Sequence, residues 1–172
     1  MNSAQVHLAL THLPVVLTLA GMIILIISLI IRNISVTRVG LYVLIAAGLA
    51  ALPVYFSGEG AEEMVENIPG VSEAIIEEHE DIAKLSLIAI MITAVAGMIG
   101  LMSFITQRFG KPIYIGVLLL SFIATGLLAQ TAHLGGQIRH SEIRSGNALA
   151  NADLNSNEAD FEEGNNQEED DD

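Results

Sequence analysis

Leu85–Ile105 reads LSLIAIMITAVAGMIGLMSFI, 21 residues with no charged side chain and no proline. A helix of about 20 such residues crosses roughly 30 Å of hydrocarbon, so this stretch is predicted to span a membrane. Three further uncharged, mostly apolar runs of similar length flank it, at Leu8–Ile31, Val39–Phe56 and Pro112–Ala132. A spanning backbone must satisfy its own hydrogen bonds, and nothing in the chain repeats the alternating ten-residue segments of a barrel. The expected fold class is therefore all-α integral membrane, a four-transmembrane-helix bundle over residues 1–144. No Lys or Arg precedes the first run, and its 24 residues exceed the roughly 7 to 15 of a signal-peptide core, so it is expected to be a retained helix.

Charge is segregated around these runs. Arg32 and Arg38 lie between the first two, and Arg108 and Lys111 between the last two, in short loops of the kind that obey the positive-inside rule. The expected location is the cytoplasmic (inner) membrane, multi-pass, with both termini outside; Lys84, Arg139 and Arg144 at the opposite end weaken the bias. Of 20 acidic residues, nine fall between Glu59 and Asp81 and ten between Asp153 and Asp172, which accounts for a net charge of -13 in a chain that is 52% hydrophobic. Residues 145–172 are rich in Asn and acids and poor in apolar residues, too little to offset ordering entropy, so a disordered acidic tail is expected. Such a tail solvates the chain or docks a basic protein. Cysteine is absent, which removes disulfides, thiolate ligation and the C-x-x-C-H attachment of a c-type haem. No basic patch points to nucleic acid. No nucleophile elbow points to a hydrolase, and the chain is not expected to be an enzyme on its own.

The connection Ser57–Lys84 has its own pattern. A short helix is predicted over residues 61–68, a break at Pro69–Gly70, and a second helix over 71–84 that runs into the third span. Along it Ile75, Ile76, His79, Ile82 and Ala83 share a face, so His79 is expected to point into the bundle. In the fourth run Thr125, Ala129 and His133 follow at four-residue steps, and Gly135–Gly136 is expected to loosen the helix before His140 or to let a flat ligand approach the backbone. Pro14 and Pro53 each delete a helical hydrogen bond, so kinks are expected there, freeing the carbonyls of Leu10 and Leu49.

All five histidines, His7, His12, His79, His133 and His140, fall at the noncytoplasmic end. His12, His79 and His133 form the candidate cofactor site, whereas His7 and His140 are expected to reach water. Two of the three could ligate haem b, since neutral imidazoles on facing helices supply its axial ligands. The chain would then be a redox subunit exchanging electrons with quinol or an extracytoplasmic protein. An alternative is a divalent metal ion held by His12, His79 and His133 with Glu59, Glu62, Glu63 and Glu80. Ile76 stands where a di-iron bundle would want the Glu of Glu-x-x-His. A third reading is a noncatalytic membrane anchor or assembly subunit for an extracytoplasmic partner. The partners compatible with these readings are the lipid bilayer, an extracytoplasmic redox or basic protein, and further copies of the chain in an oligomer.

Four segments carry a family resemblance: HLALTHLP at His7–Pro14, SGEGAEEMVE at Ser57–Glu66, IIEEHE around His79, and TAHLGGQIRH at Thr131–His140. In order and spacing they resemble the predicted membrane proteins grouped as domain of unknown function 2231 (DUF2231), over the chain up to about Arg144. The resemblance implies a four-helix integral membrane domain, found in relatives beside redox proteins, and supplies no established activity. Its motif positions are His12, Pro14, Glu59, Glu62, Glu63, His79, His133, Gly135 and Gly136. The acidic tail lies outside the pattern.

Overall fold

In the computed structural model, residues 3–65, 73–106 and 110–139 are described, and apart from short connections they are helical throughout. The elements are α1 (Ser3–Leu10), α2 (His12–Ile31), α3 (Ile34–Val65), α4 (Glu73–Thr106) and α5 (Gly110–Arg139). Four stretches are long and apolar enough to cross a membrane: Ser3–Ile31, Ile34–Met64, Glu73–Phe104 and Gly110–Ile138. The first joins α1 to α2 through Thr11, which keeps helical dihedrals and donates its N–H to the His7 carbonyl at 2.9 Å. Pro14 falls in the first turn of α2, where a missing N–H costs least.

Two expectations about helix ends are corrected. The separate helix predicted over 61–68 is instead the continuation of α3, which runs unbroken past exposed Pro53 and through Ser57 to Val65. At the far end α5 continues through Gly135 and Gly136 to Arg139. A glycine inside a helix costs on the order of 1 kcal/mol, and tertiary packing offsets this where the missing side chain admits a neighbour. A Cβ at Gly58 would lie 3.5 Å from the His7 ring, one at Gly60 would lie 2.8 Å from the Ser3 side chain, and one at Gly135 would lie 3.2 Å from the His79 ring. Pro69, Gly70, His140 and the 145–172 tail lie outside the described residues.

Helices adjacent in the chain pack side by side, α5 closes back against α2, and α1 rests on the outer part of α3. Two glycine contacts set how closely they approach. A Cβ at Gly48 of α3 would meet Ala94 Cβ of α4 at 2.6 Å, and one at Gly40 would meet the backbone of α2 at Leu25 N, 3.2 Å away. Small residues let helix backbones meet closely where no hydrophobic effect drives association. The core has two layers: Leu25, Leu41, Leu44, Tyr114 and Val117 at the basic end, and Ala47, Ala51, Ile90, Ala124 and Leu128 towards the histidines.

The bundle is apolar outside as well as inside, with a few hydroxyls among the buried residues. Ile30, Leu49, Phe56, Ile88, Leu119 and Ile123 are exposed, while Thr18, Ser28, Thr93 and Ser121 are buried. Each of those hydroxyls donates to a carbonyl three or four residues earlier, at 2.6 to 2.8 Å. Between helices, the Ser86 hydroxyl meets that of Thr131 at 2.8 Å, and Tyr114 meets Ser103 at 3.1 Å. Among the described residues no buried side-chain nitrogen or oxygen lacks a partner. That is the requirement hydrocarbon imposes, because it offers no hydrogen bonds in exchange.

The two ends differ in charge. At one, Asn33 Oδ1 accepts the N–H of Ser35 at 2.9 Å to cap α3, and Arg38 lies 4.7 Å from the Phe104 ring, itself stacked on Tyr114. The other holds the histidines and acids. A groove of about 410 Å³ between α4 and α5, lined by residues such as Ala96, Ile99, Ile113 and Gly116, is apolar and sits in the half away from the histidines.

Candidate functional site

The histidine end is assembled from α1, the last turns of α3, the first turns of α4 and the end of α5. Over Glu73–Lys84, α4 exposes Glu73, Glu77, Glu78, Glu80 and Asp81, which places these turns beyond its apolar segment. Lys84 pairs with Glu80 at 3.2 Å and Asp81 at 3.6 Å, an exposed contact worth little in stability.

His79 turns away from these acids. Ile76 is buried and Ile75, Ile82 and Ala83 are half-buried, so the face carrying His79 meets the bundle as its spacing implied. Its Nδ1–H donates to the Thr131 carbonyl of α5 at 3.0 Å. Because a carbonyl only accepts, this bond fixes the tautomer and leaves the lone pair on Nε2. Burial pushes the imidazole below its ordinary pKa. The bond to Thr131 opposes that, the nearby His7 ring adds to it, and Glu80 opposes it weakly.

His7 is the residue that sequence reasoning set aside. Its ring is half-buried on α3, where Nδ1 lies 3.0 Å from the Val54 carbonyl and 3.1 Å from Ser57 Oγ. Ser57 itself donates to Val54 at 2.8 Å, so the His7 Nδ1–H points at two oxygens and its lone pair also resides on Nε2. A signal for this was present in Gly58 and Gly60, two helix-weakening residues in a helical acidic stretch, which mark the close approach of another element.

The other expected histidines are placed differently. His133 is exposed and accepts the Gln137 Nε2–H on its own Nε2 at 2.8 Å, so that lone pair is already engaged. Its neighbour Leu134 is the buried residue, and one position on a helix is a rotation of about 100°. His12 is exposed beside Thr11 Oγ1 at 3.5 Å because Pro14, two positions on, takes the inward direction. Of His12, His79 and His133, the first and last are exposed, and His79 is the one whose hydrogen bond reaches another helix. Glu59 and Glu63 are exposed, and Glu62 is half-buried and engaged. Among the described residues no three His, Asp or Glu side chains converge on an ion-sized space.

Fold and site define the class: an all-helical chain with four helices long and apolar enough to cross a membrane, closed at one end by acids and two carbonyl-locked imidazoles. No family model, curated protein or solved structure matches it.

Proposed function

We propose that the chain is a multi-pass protein of the cytoplasmic membrane, its histidine end on the noncytoplasmic side, and that this end binds a divalent transition-metal ion with His79 as the anchoring ligand. The observation that carries this is the bond from His79 Nδ1–H to the Thr131 carbonyl at 3.0 Å. Metal-binding imidazoles characteristically donate their other N–H to a carbonyl or carboxylate, which orients the ring and raises the basicity of the free nitrogen. Burial reinforces this by favouring the neutral ring, and the surrounding carboxylates raise the local concentration of cations. Nitrogen with oxygen donors suits zinc, copper or iron better than magnesium or calcium. The membrane assignment is supported by the exposed apolar belt and by Arg32, Arg38 and Lys111 at the end opposite the acids. The four segments resembling DUF2231 suit a membrane domain that works beside redox proteins.

Haem b on these imidazoles is the competing chemistry. Close contact at Gly48 and Ala94, and the Ala47, Ala51 and Ala124 layer, fill the interior with side chains, so a macrocycle would have to be held at the outer surface. One experiment separates the readings: metal analysis and a reduced-minus-oxidised visible spectrum on the same detergent-purified sample. The expected result is a stoichiometric ion, absent from His79→Ala, and no Soret band. A Soret band lost in that variant would favour haem, and neither signal would leave the anchor or assembly role.

A further inference from the structure

We propose that Ser86 and Thr131 are the positioning residues of His79, a hydroxyl latch between α4 and α5 that holds the imidazole on its carbonyl and so keeps the lone pair on Nε2. Its effect on ion affinity rests on the metal-binding reading above; its geometry does not. Thr131 receives α4 twice. Its carbonyl accepts the His79 Nδ1–H at 3.0 Å, and its hydroxyl meets that of Ser86 at 2.8 Å. Thr131 gives its own proton to the Leu127 carbonyl at 3.0 Å, so the proton between the two hydroxyls comes from Ser86. His79 and Ser86 are seven residues apart on α4, about 10 Å along the axis and nearly on one face, so a single residue of α5 fixes two turns of α4.

A serine or threonine inside a helix commonly returns its proton to the carbonyl three or four residues earlier. Thr18, Ser28, Thr37, Thr93, Ser103 and Ser121 all do so. Among the described residues Ser86 is the fully buried hydroxyl that bonds only to another helix. An alanine would occupy nearly the same space with no polar atom to satisfy, so what the hydroxyl contributes is direction. The level at which it acts makes that direction matter. From Glu73 to Leu85, α4 buries only Ile76 fully, and Glu77, Glu78, Glu80 and Asp81 are exposed, so His79 stands on a segment with few contacts to fix it. Ser86 is the outermost fully buried polar residue of α4. A rotation of the helix there carries into the direction of the His79 Nδ1–H, and a metal-binding imidazole depends on what holds its other nitrogen.

The test combines nitrogen NMR of the metal-free, detergent-purified full chain with Zn²⁺ titration of the same samples. At about pH 8, above the ordinary histidine pKa of about 6.5, the ring nitrogen shifts report which nitrogen carries the proton, and the His79 signals are assigned by their loss in His79→Gln. Ser86→Ala and Thr131→Val remove the latch and keep the carbonyl, whereas Thr131→Ser keeps both. Ser121→Ala deletes a buried hydroxyl of α5 that bonds within its own helix, and so reports general loosening. The expected result is a pure Nδ1–H tautomer in wild type, Thr131→Ser and Ser121→Ala, and mixed tautomers in Ser86→Ala and Thr131→Val, which also bind Zn²⁺ roughly tenfold more weakly, as loss of a group behind a ligand usually does. A tautomer as pure in Ser86→Ala and Thr131→Val as in wild type overturns the latch, and so does equal mixing in Ser121→Ala. The expected tautomer pattern in a protein that binds no Zn²⁺ upholds the latch and overturns the metal reading.

Discussion

Gly135 of α5 lies directly under the imidazole of His79, so that a Cβ there would stand 3.2 Å from Cε1. The ring cannot retreat without stretching its 3.0 Å bond to the Thr131 carbonyl one turn earlier. Gly135→Ala is therefore expected to weaken metal binding by roughly tenfold, the usual cost of disturbing a group that orients a ligand. Gly126→Ala on the same helix, where nothing lies within 4 Å, should leave affinity unchanged. Equal affinities in the two variants would show that ring placement is not what the glycine provides.

Bundle stability should depend on glycines in an equally position-specific way. Gly48→Ala drives a methyl to 2.6 Å from Ala94 Cβ, an atom fixed to the backbone of α4, and overpacking of this kind costs about 1 to 3 kcal/mol. Gly116→Ala, which meets open space, should be neutral or stabilising by up to about 1 kcal/mol through helix propensity. Unfolding midpoints in detergent order the two, and a Gly48→Ala protein as stable as wild type would contradict the close α3–α4 approach.

Acid should loosen the histidine end. Since burial holds the folded-state pKa of His79 below the ordinary value of about 6.5, the stability present above that value is lost as pH falls through it towards the folded-state value. His79→Gln should flatten the dependence of metal-free stability on pH between neutrality and pH 5. Hydrogen exchange of α1 and the start of α4 would show the effect locally, and an unchanged pH profile in the variant would assign it to other groups.

Much of this architecture was legible in the sequence because a bilayer-crossing helix announces itself by what it lacks: Leu85–Ile105 and its three counterparts carry no charge. The inward direction of His79 was legible as well, since Ile75, Ile76, Ile82 and Ala83 define its face over about two turns. The stripe of Thr125, Ala129 and His133 did not foretell burial along its whole length: Thr125 is half-buried and reaches Met22 Sδ of α2 at 3.8 Å, whereas Ala129 and His133 are exposed and the buried positions are Leu128 and Leu134. His7 was illegible for a different reason. Its partners Val54 and Ser57 are remote in the chain, and helix continuity through Gly58 and Gly60 is a tertiary effect that local propensity opposes.

Orientation in the membrane has its own test. With no native cysteine, Ser35→Cys in the first turn of α3 and Glu63→Cys near its other end are unique labelling sites. An impermeant maleimide applied to intact cells should modify the residue introduced at 63 and spare that at 35 until the membrane is opened. The reverse pattern would invert the topology and put the histidine end inside.

The most direct measurement of the metal claim is X-ray absorption of the zinc-loaded protein, wild type against His79→Ala. A nitrogen shell at about 2.0 to 2.1 Å, with imidazole scattering that diminishes in the variant, is the expected result. An all-oxygen environment that the substitution leaves untouched would contradict the account.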